Sequence, residues 1–148
     1  MLHLFRKSFF TDAEKQRISK AVKTAEAMTS GEIKVYVESN CKKAVMGRAI
    51  EVFQSLELEK TRDRNAVLFY IAHRSRKFGI LGDEGIHRNV QEAFWHQLKE
   101  EMETYFKNGQ YTEGLEYGIL RAGEKLKHHF PHQGDDVNEI SDDIAEGR

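Results

Sequence analysis

The feature that most constrains the fold is a run of seven consecutive apolar residues, Ala66–Ala72, with polar and charged residues on both sides. Seven residues are too few to span a bilayer. They match the length of a strand rather than that of a buried helix. Because successive side chains of a strand point to opposite faces, a strand is apolar throughout only when both faces of its sheet are covered. The run therefore predicts a central strand between two packed layers.

The segments around this run predict the other elements. Residues Glu32–Glu38 alternate polar and apolar side chains, which is typical of a strand buried on one face. Lys77–Gly82 follows a short polar turn and predicts a third strand, paired with the central strand as a hairpin. Apolar residues at helical spacing predict four amphipathic helices, over residues 12–28, 45–56, 90–106 and 115–126.

The element order α-β-α-β-β-α-α predicts an α/β fold in which a small mixed sheet is sandwiched between helices. The first two strands are expected to be parallel, because a strand–helix–strand crossover is right-handed and returns to the same end of the sheet. The length of 148 residues fits a single domain, which we place at residues 1–131. Residues 132–148 are polar and acidic and are predicted to form a disordered tail.

The last helix carries small residues four positions apart, at Gly114, Gly118 and Ala122. Side chains at this spacing share one face of a helix. We therefore expect Gly118 to lie against the backbone of another element.

Composition excludes several classes of function. A formal net charge of -1 provides no general basic face for nucleic acid. No apolar run approaches the roughly 20 residues of a membrane span, so membrane insertion is not expected. The amino-terminal apolar run is interrupted by Arg6 and Lys7 and has no cleavage site, which argues against a signal peptide. Cys41 is the single cysteine, so a disulfide within the chain and a cysteine-based zinc site are excluded. A lone thiol fits a reducing compartment, and we expect a cytoplasmic protein.

No catalytic residue can be named from the sequence. Cys41 is followed by two lysines, but a catalytic cysteine needs a histidine partner and none is identifiable. The sequence also lacks the zinc-protease HExxH motif, the phosphate-binding Walker loop and the hydrolase GxSxG motif.

Strand directions nevertheless bring polar residues together. The first two strands begin, and the third strand ends, at the same end of the predicted sheet. Glu32, Asn65, Asp83 and Glu84 should therefore gather there, and their oxygens are ligands that hard divalent cations prefer. The same residues also allow an ordinary interpretation, in which Glu32 and Asp83 form ion pairs with Arg64.

Several short segments resemble the TPM domain family, which is named after a thylakoid lumen protein and its relatives. The resemblance covers residues 11–131 and rests on the segments SGEI at 30–33, RNAVL at 64–68, FGILGDEGI at 78–86, YFKNGQY at 105–111 and GL at 114–115.

The resemblance implies a mixed sheet between helices and a stand-alone, cytosolic bacterial member of the family. It also implies a groove at the sheet end, where some relatives bind calcium or other divalent cations. A plant relative that acts in photosystem repair has been described as an acid phosphatase. By position in the shared segments, Asp83 is the strongest candidate ligand and Glu32 is the next. Glu84 and His87 occupy positions that vary in the family.

Three hypotheses follow. The preferred one is a non-enzymatic domain that binds a divalent cation, with calcium first and magnesium or zinc as alternatives, and that also binds an unidentified protein partner. The metal ligands would be Asp83, Glu32, Glu84 and Asn65. A metal-assisted phosphatase is the second hypothesis; Arg64 could hold phosphate, but no nucleophile or base is singled out. The third is a protein-interaction module without metal.

Overall fold

A computed structural model describes residues 8–132 and 139–147. The helices are α1 (Asp12–Glu26), α2 (Val45–Ser55), α3 (Glu84–Asn89), α4 (Glu92–Lys107) and α5 (Tyr111–His129). The strands are β1 (Glu32–Glu38), β2 (Ala66–Ala72), β3 (Lys77–Gly82) and β4 (Ala145–Glu146). The strands form one sheet of order β3-β2-β1-β4.

The directions predicted for the first three strands are confirmed. Strand β1 pairs with β2 in parallel, with Glu32 opposite Ala66. Strand β3 pairs with β2 antiparallel, with Gly82 opposite Val67. The starts of β1 and β2 and the end of β3 therefore lie at one end of the sheet.

Strand β2 is buried along its whole length, as its apolar run predicts. Val67, Phe69 and Ile71 belong to the core that the sheet forms with α1, α4 and α5. Leu68 and Tyr70, which alternate with them, belong to a separate core beneath α2. The sheet is thus sandwiched between helices, which confirms the α/β fold class. In the described ranges, no helix is both long and apolar enough to cross a membrane.

The carboxyl-terminal segment differs from the prediction. Disorder was expected from residue 132 onward, but residues 139–147, which we call the strap, lie along the free edge of β1. Ala145 and Glu146 form β4, which pairs in parallel with Tyr36 and Val37. The amide of Gly147 donates a hydrogen bond of 2.7 Å to the Val37 carbonyl. Residues 133–138 and 148 of the predicted tail lie outside the described residues.

Two apolar side chains explain why the strap is ordered despite its acidic composition. Ile140 packs against the core beneath α2. Ile144 packs against the opposite core. Together with pairing to a strand edge, these contacts offset part of the conformational entropy that the strap loses on ordering. A prediction based on composition does not take such contacts into account.

The small face of α5 makes two different contacts. A Cβ at Gly118 would collide with the side chain of Met102 on α4, not with a backbone as predicted. The close backbone approach occurs at Gly123, where a Cβ would lie 2.7 Å from Ala25 Cβ and 2.9 Å from Ala25 Cα in α1. Gly123 therefore sets the distance between α1 and α5.

We expect Gly123→Ala to lower the free energy of unfolding by about 1–3 kcal/mol, because the added methyl group meets a backbone that cannot move aside. Gly47→Ala is the matched control, since a Cβ at Gly47 of α2 would meet nothing within 4 Å. Its higher helix propensity should stabilise the protein by up to about 1 kcal/mol. Urea unfolding of both variants measures the difference. Equal effects of the two substitutions would contradict the proposed contact.

Candidate functional site at the amino end of the parallel strands

The backbones of the predicted site residues meet at one end of the sheet. The amide of Glu32 donates to the Asn65 carbonyl at 3.3 Å, and the amide of Asp83 donates to the Ala66 carbonyl at 2.9 Å. Glu32, Asn65 and Asp83 are each at least 93% buried, with exposed fractions of 3%, 2% and 7%. The side chains, however, separate into two groups with different partners.

The first group is an ion pair between Asp83 and Arg64. The Asp83 carboxylate accepts hydrogen bonds from Arg64 Nε at 2.7 Å and from the terminal Nη2 at 2.8 Å. It also accepts from the amide of Glu84 at 2.8 Å and thereby caps α3. Both carboxylate oxygens of Asp83 are thus engaged, as in the ordinary interpretation of these residues.

Glu84 and Asn65 also have other partners. The Glu84 side chain is 59% exposed and lies 3.6 Å from both Arg64 and Arg88. The amide group of Asn65 donates a long hydrogen bond of 3.4 Å to Ser30 Oγ. Two of the four predicted ligands are therefore oriented toward arginine, and the four residues do not fit a shared cation.

A glycine explains the turn that brings Asp83 to this position. The Gly85 amide donates to the Arg64 carbonyl at 2.9 Å. A Cβ at Gly85 would collide with the carbonyl oxygens of Asp63 and Arg64. Arg64 itself has a left-handed backbone with φ of 51°, which is costly for a residue with a side chain. The GDEG segment at 82–85 therefore has a structural explanation that requires no ligand.

The second group consists of carboxyl groups from three elements: Glu26 at the end of α1, Glu32 at the start of β1, and Asp142 in the strap. Glu26 Oε2 accepts a hydrogen bond of 2.7 Å from the Ile33 amide. Glu32 Oε1 accepts one of 2.7 Å from the Glu139 amide. The Glu26 side chain hydrogen-bonds to both Asp142 and Glu32. We call these three side chains the carboxyl cluster.

Burial dominates the electrostatics of the carboxyl cluster. Burial, the hydrogen bond with Asp142 and the charge of Glu32 together raise the pKa of Glu26 to about 10, against the lowering effect of the hydrogen bond from the Ile33 amide. Burial also raises the pKa of Glu32, to about 7, against the lowering effect of hydrogen bonds from Glu139 and Glu26. Carboxylates that share a site repel each other, so a proton between them stabilises the arrangement.

Lys34 is a cation that interacts with the carboxyl cluster. Its ammonium group donates to the strap carbonyls of Ser141 at 3.1 Å and Asp143 at 2.7 Å. Burial lowers the pKa of Lys34, and the charges of Asp143, Asp142 and Glu26 oppose that effect. Ionisation of all three carboxyl groups would place several negative charges close together.

The family can now be decided. A model of the TPM domain matches residues 6–125. The chain belongs to the TPM domain family.

Solved structures agree with this assignment. The TPM domain described here is similar to the BA42 protein of the psychrophilic bacterium Bizionia argentinensis, with 37% identity over 95% of this chain and 97% of that one, and a TM-score of 0.90. An amino-terminal domain from P. gingivalis is 14% identical over 85% of this chain and 83% of its own, with a TM-score of 0.68. The amino-terminal domain of the cg2496 protein of Corynebacterium glutamicum is 13% identical over 80% of this chain and 74% of its own, with a TM-score of 0.64. These last two show a shared fold alone. No curated protein sequence matches the chain.

Sequence reasoning found one member of the carboxyl cluster in this TPM domain, Glu32, and missed Glu26 and Asp142. Glu26 is in the last turn of an amphipathic helix, where a carboxylate normally faces solvent. Asp142 lies in the segment predicted to be disordered. The spacing of Ile140 and Ile144 was the available signal, because two apolar side chains in an acidic segment indicate a docking contact.

We expect Asp83→Asn to lower the free energy of unfolding by about 1 kcal/mol, because the amide can still cap α3 but loses the charge interaction with a half-exposed Arg64. The loss should be the same with and without calcium. Glu84→Gln, at an exposed position, should change stability by less than about 0.5 kcal/mol. Thermal unfolding of both variants in calcium and in chelator provides the measurement. A calcium-dependent loss in Asp83→Asn alone would restore Asp83 as a ligand.

The carboxyl cluster also predicts how strap docking depends on pH. The folded state holds protons on Glu26 and Glu32 more tightly than ordinary glutamates, whose pKa is 4.5. Docking is therefore fully stabilised below that value and weakens as pH rises above it, through about 7 for Glu32 and toward about 10 for Glu26. Between about pH 5 and about pH 8, the strap should lose on the order of 1 kcal/mol of stability.

The amide-exchange protection factor of Gly147, whose amide donates to the Val37 carbonyl, measures this dependence. The matched variant is Glu32→Gln, which keeps an oxygen that can accept from the Glu139 amide but removes the ionisable group. Its protection factor should vary less with pH than that of the wild type. Identical profiles for the two proteins would show that Glu32 does not control docking.

Proposed function

We propose that this TPM domain is a non-enzymatic binding domain that takes up a divalent cation at the carboxyl cluster of Glu26, Glu32 and Asp142. The observation that carries the proposal is the convergence of these carboxyl groups from α1, β1 and the strap, where Glu26 shares hydrogen bonds with both Asp142 and Glu32. A divalent cation would neutralise the negative charge of the carboxyl groups, which bound protons neutralise when no cation is present.

The chemistry of the donors suits a hard cation. Carboxylate oxygens are preferred by calcium and magnesium, and magnesium is commonly held by one or two carboxylates with water completing its shell. Within the described ranges, no three His, Cys, Asp or Glu side chains are already arranged around a metal position. The proposal therefore requires water, or a small rearrangement of the strap, to complete the coordination. Calcium is our first candidate, and magnesium and zinc are the alternatives.

Uptake of a cation should displace protons. Glu26 and Glu32 have raised pKa values because their charged forms are buried and close together. A cation stabilises those charged forms, so binding near neutral pH should release protons and tighten as pH rises. Proton release distinguishes binding at the carboxyl cluster from binding at Asp83, which is already paired with Arg64.

The proposal is tested by titrating the full chain with calcium, magnesium and zinc chlorides. Binding is monitored by amide chemical shifts and by calorimetry in two buffers, whose heats differ when protons are released. We expect saturable shifts at Ile33 and Glu139, accompanied by proton release. Free cation at a hundredfold above the dissociation constant should raise stability by about 2.7 kcal/mol.

Two variants and one control locate the binding site. Loss of a residue that only hydrogen-bonds to a metal ligand weakens metal binding by about tenfold. Glu26→Gln and Glu32→Gln should each weaken cation binding by more than this. Asp83→Asn is the matched control, because it removes a buried carboxylate at the same end of the sheet and should leave affinity unchanged. Absence of saturable shifts with any of the three metals would refute the proposal. Loss of binding in Asp83→Asn alone would show that the cation binds at Asp83 and not at the carboxyl cluster.

A further inference from the structure

A groove of about 560 Å³ lies at the other end of the sheet. Its walls come from the end of β2 and the start of β3, from α4, and from the turn that leads into α5. Ala72, the last residue of β2, lines it, whereas the carboxyl cluster lies beside the first residues of β1. Seven residues of strand separate the two ends, which is roughly 20 Å. The groove is thus distinct from the proposed cation site.

The groove is strongly basic in a chain that is nearly neutral overall. Arg76, Lys77, Lys99 and Lys107 line it, and Glu103 is the one acidic residue among its lining side chains. The whole chain has 23 basic and 24 acidic residues. An excess of three positive charges around one groove is therefore a local concentration, and it favours an anionic ligand.

No carboxylate among the described residues forms an ion pair with these cations. Lys77 donates to the backbone carbonyls of Cys41 at 3.2 Å and Lys43 at 3.3 Å. The Lys99 ammonium lies 5.6 Å from the ring centroid of Phe78. Their charges are available to a ligand in the groove.

Aromatic rings line the space between the cations. Phe78 and Phe106 meet edge to face with 4.7 Å between ring centroids, and Phe106 stacks on Tyr111 at 4.8 Å. Tyr111 in turn contacts Phe9, one of the few exposed large apolar side chains among the described residues. Aromatic residues are enriched at protein interfaces.

Arg76 adds an unusual backbone. It has φ of 53°, in the left-handed region that glycine adopts without strain. The hairpin between β2 and β3 thus has an arginine where glycine would be less strained. This position offers a substitution that removes a groove charge while relieving the backbone.

We propose that this groove binds an extended acidic segment of a partner protein, with an aromatic or aliphatic side chain of that segment against Phe78, Phe106 and Tyr111. Four cations around the groove match the acidic side chains of such a segment, and the rings match its apolar residue. The volume lies in the range of ligand pockets and exceeds what a single phosphate would fill.

Fluorescence anisotropy with a labelled short peptide of Glu and Asp containing Phe tests this proposal. Unlabelled peptide of the same charge without Phe, and inorganic phosphate, serve as competitors. We expect the Phe peptide to bind and to lose affinity as salt is added, because exposed charges are screened. The peptide without Phe should compete more weakly, and phosphate should not compete at equal concentration. Amide shifts should appear at Phe78, Phe106 and Tyr111.

Matched charge reversals distinguish the effect of the groove cations on peptide binding from the effect of the net charge of the protein. Lys99→Glu with Lys107→Glu should weaken peptide binding by at least about tenfold, because like charges would then face the ligand. Lys20→Glu with Lys127→Glu makes the same change in net charge at exposed positions outside the groove lining and should leave affinity within about twofold. Arg76→Gly should weaken binding while the melting temperature stays the same or rises.

Three results would overturn the proposal. The first is absence of peptide binding at low ionic strength. The second is an equal loss of affinity in the two charge-reversed proteins, which would indicate attraction to the surface as a whole. The third is full competition by phosphate with hydrolysis of a chromogenic phosphomonoester, which would assign the groove to phosphate chemistry instead.

Discussion

Burial of β2 on both faces is the constraint on which the rest of the structure depends. Its side chains enter two separate cores, Val67, Phe69 and Ile71 on one side and Leu68 and Tyr70 on the other. A strand in this position loses apolar burial if either helical layer is missing. It therefore requires α2 on one face and α1, α4 and α5 on the other. A one-residue slip in its register would exchange the two sets of side chains, so the pairing with β1 and β3 is strongly specified.

That register determines what meets at each end of the sheet. Because Glu32 lies opposite Ala66 and Gly82 opposite Val67, the residues next to them are brought together regardless of their chemistry. Sequence reasoning reached this point, since strand direction follows from the helical crossover between β1 and β2 and from the hairpin between β2 and β3. It could not determine side-chain partners. Whether Asp83 turns toward Arg64 or toward Glu32 depends on the turn at Gly85, which is a backbone contact with a loop distant in sequence.

The strap shows a second limit of the sequence argument. Its order comes from the free edge of β1, from Lys34 and from the two cores that its isoleucines enter, all of which lie outside the acidic segment. A prediction from composition considers only how a segment interacts with water. The strap instead exchanges water for the edge of β1, whose backbone groups would otherwise be unpaired. Glu26 was missed for the same reason: its carboxyl group is buried by a segment more than a hundred residues away in the chain. Non-local burial, and not local propensity, creates the carboxyl cluster.

The near-neutral net charge conceals a division of charge along the strand direction. Carboxyl groups converge at the start of β1, and basic side chains surround the groove beyond the end of β2. The separation of roughly 20 Å is about twice the distance over which exposed charges interact at physiological salt. The two ends should therefore act independently, and substitutions at one should add to those at the other without coupling. Coupling between them would have to pass through packed elements that reach both ends, such as α1, which follows Phe9 beside the groove and ends at Glu26 in the carboxyl cluster.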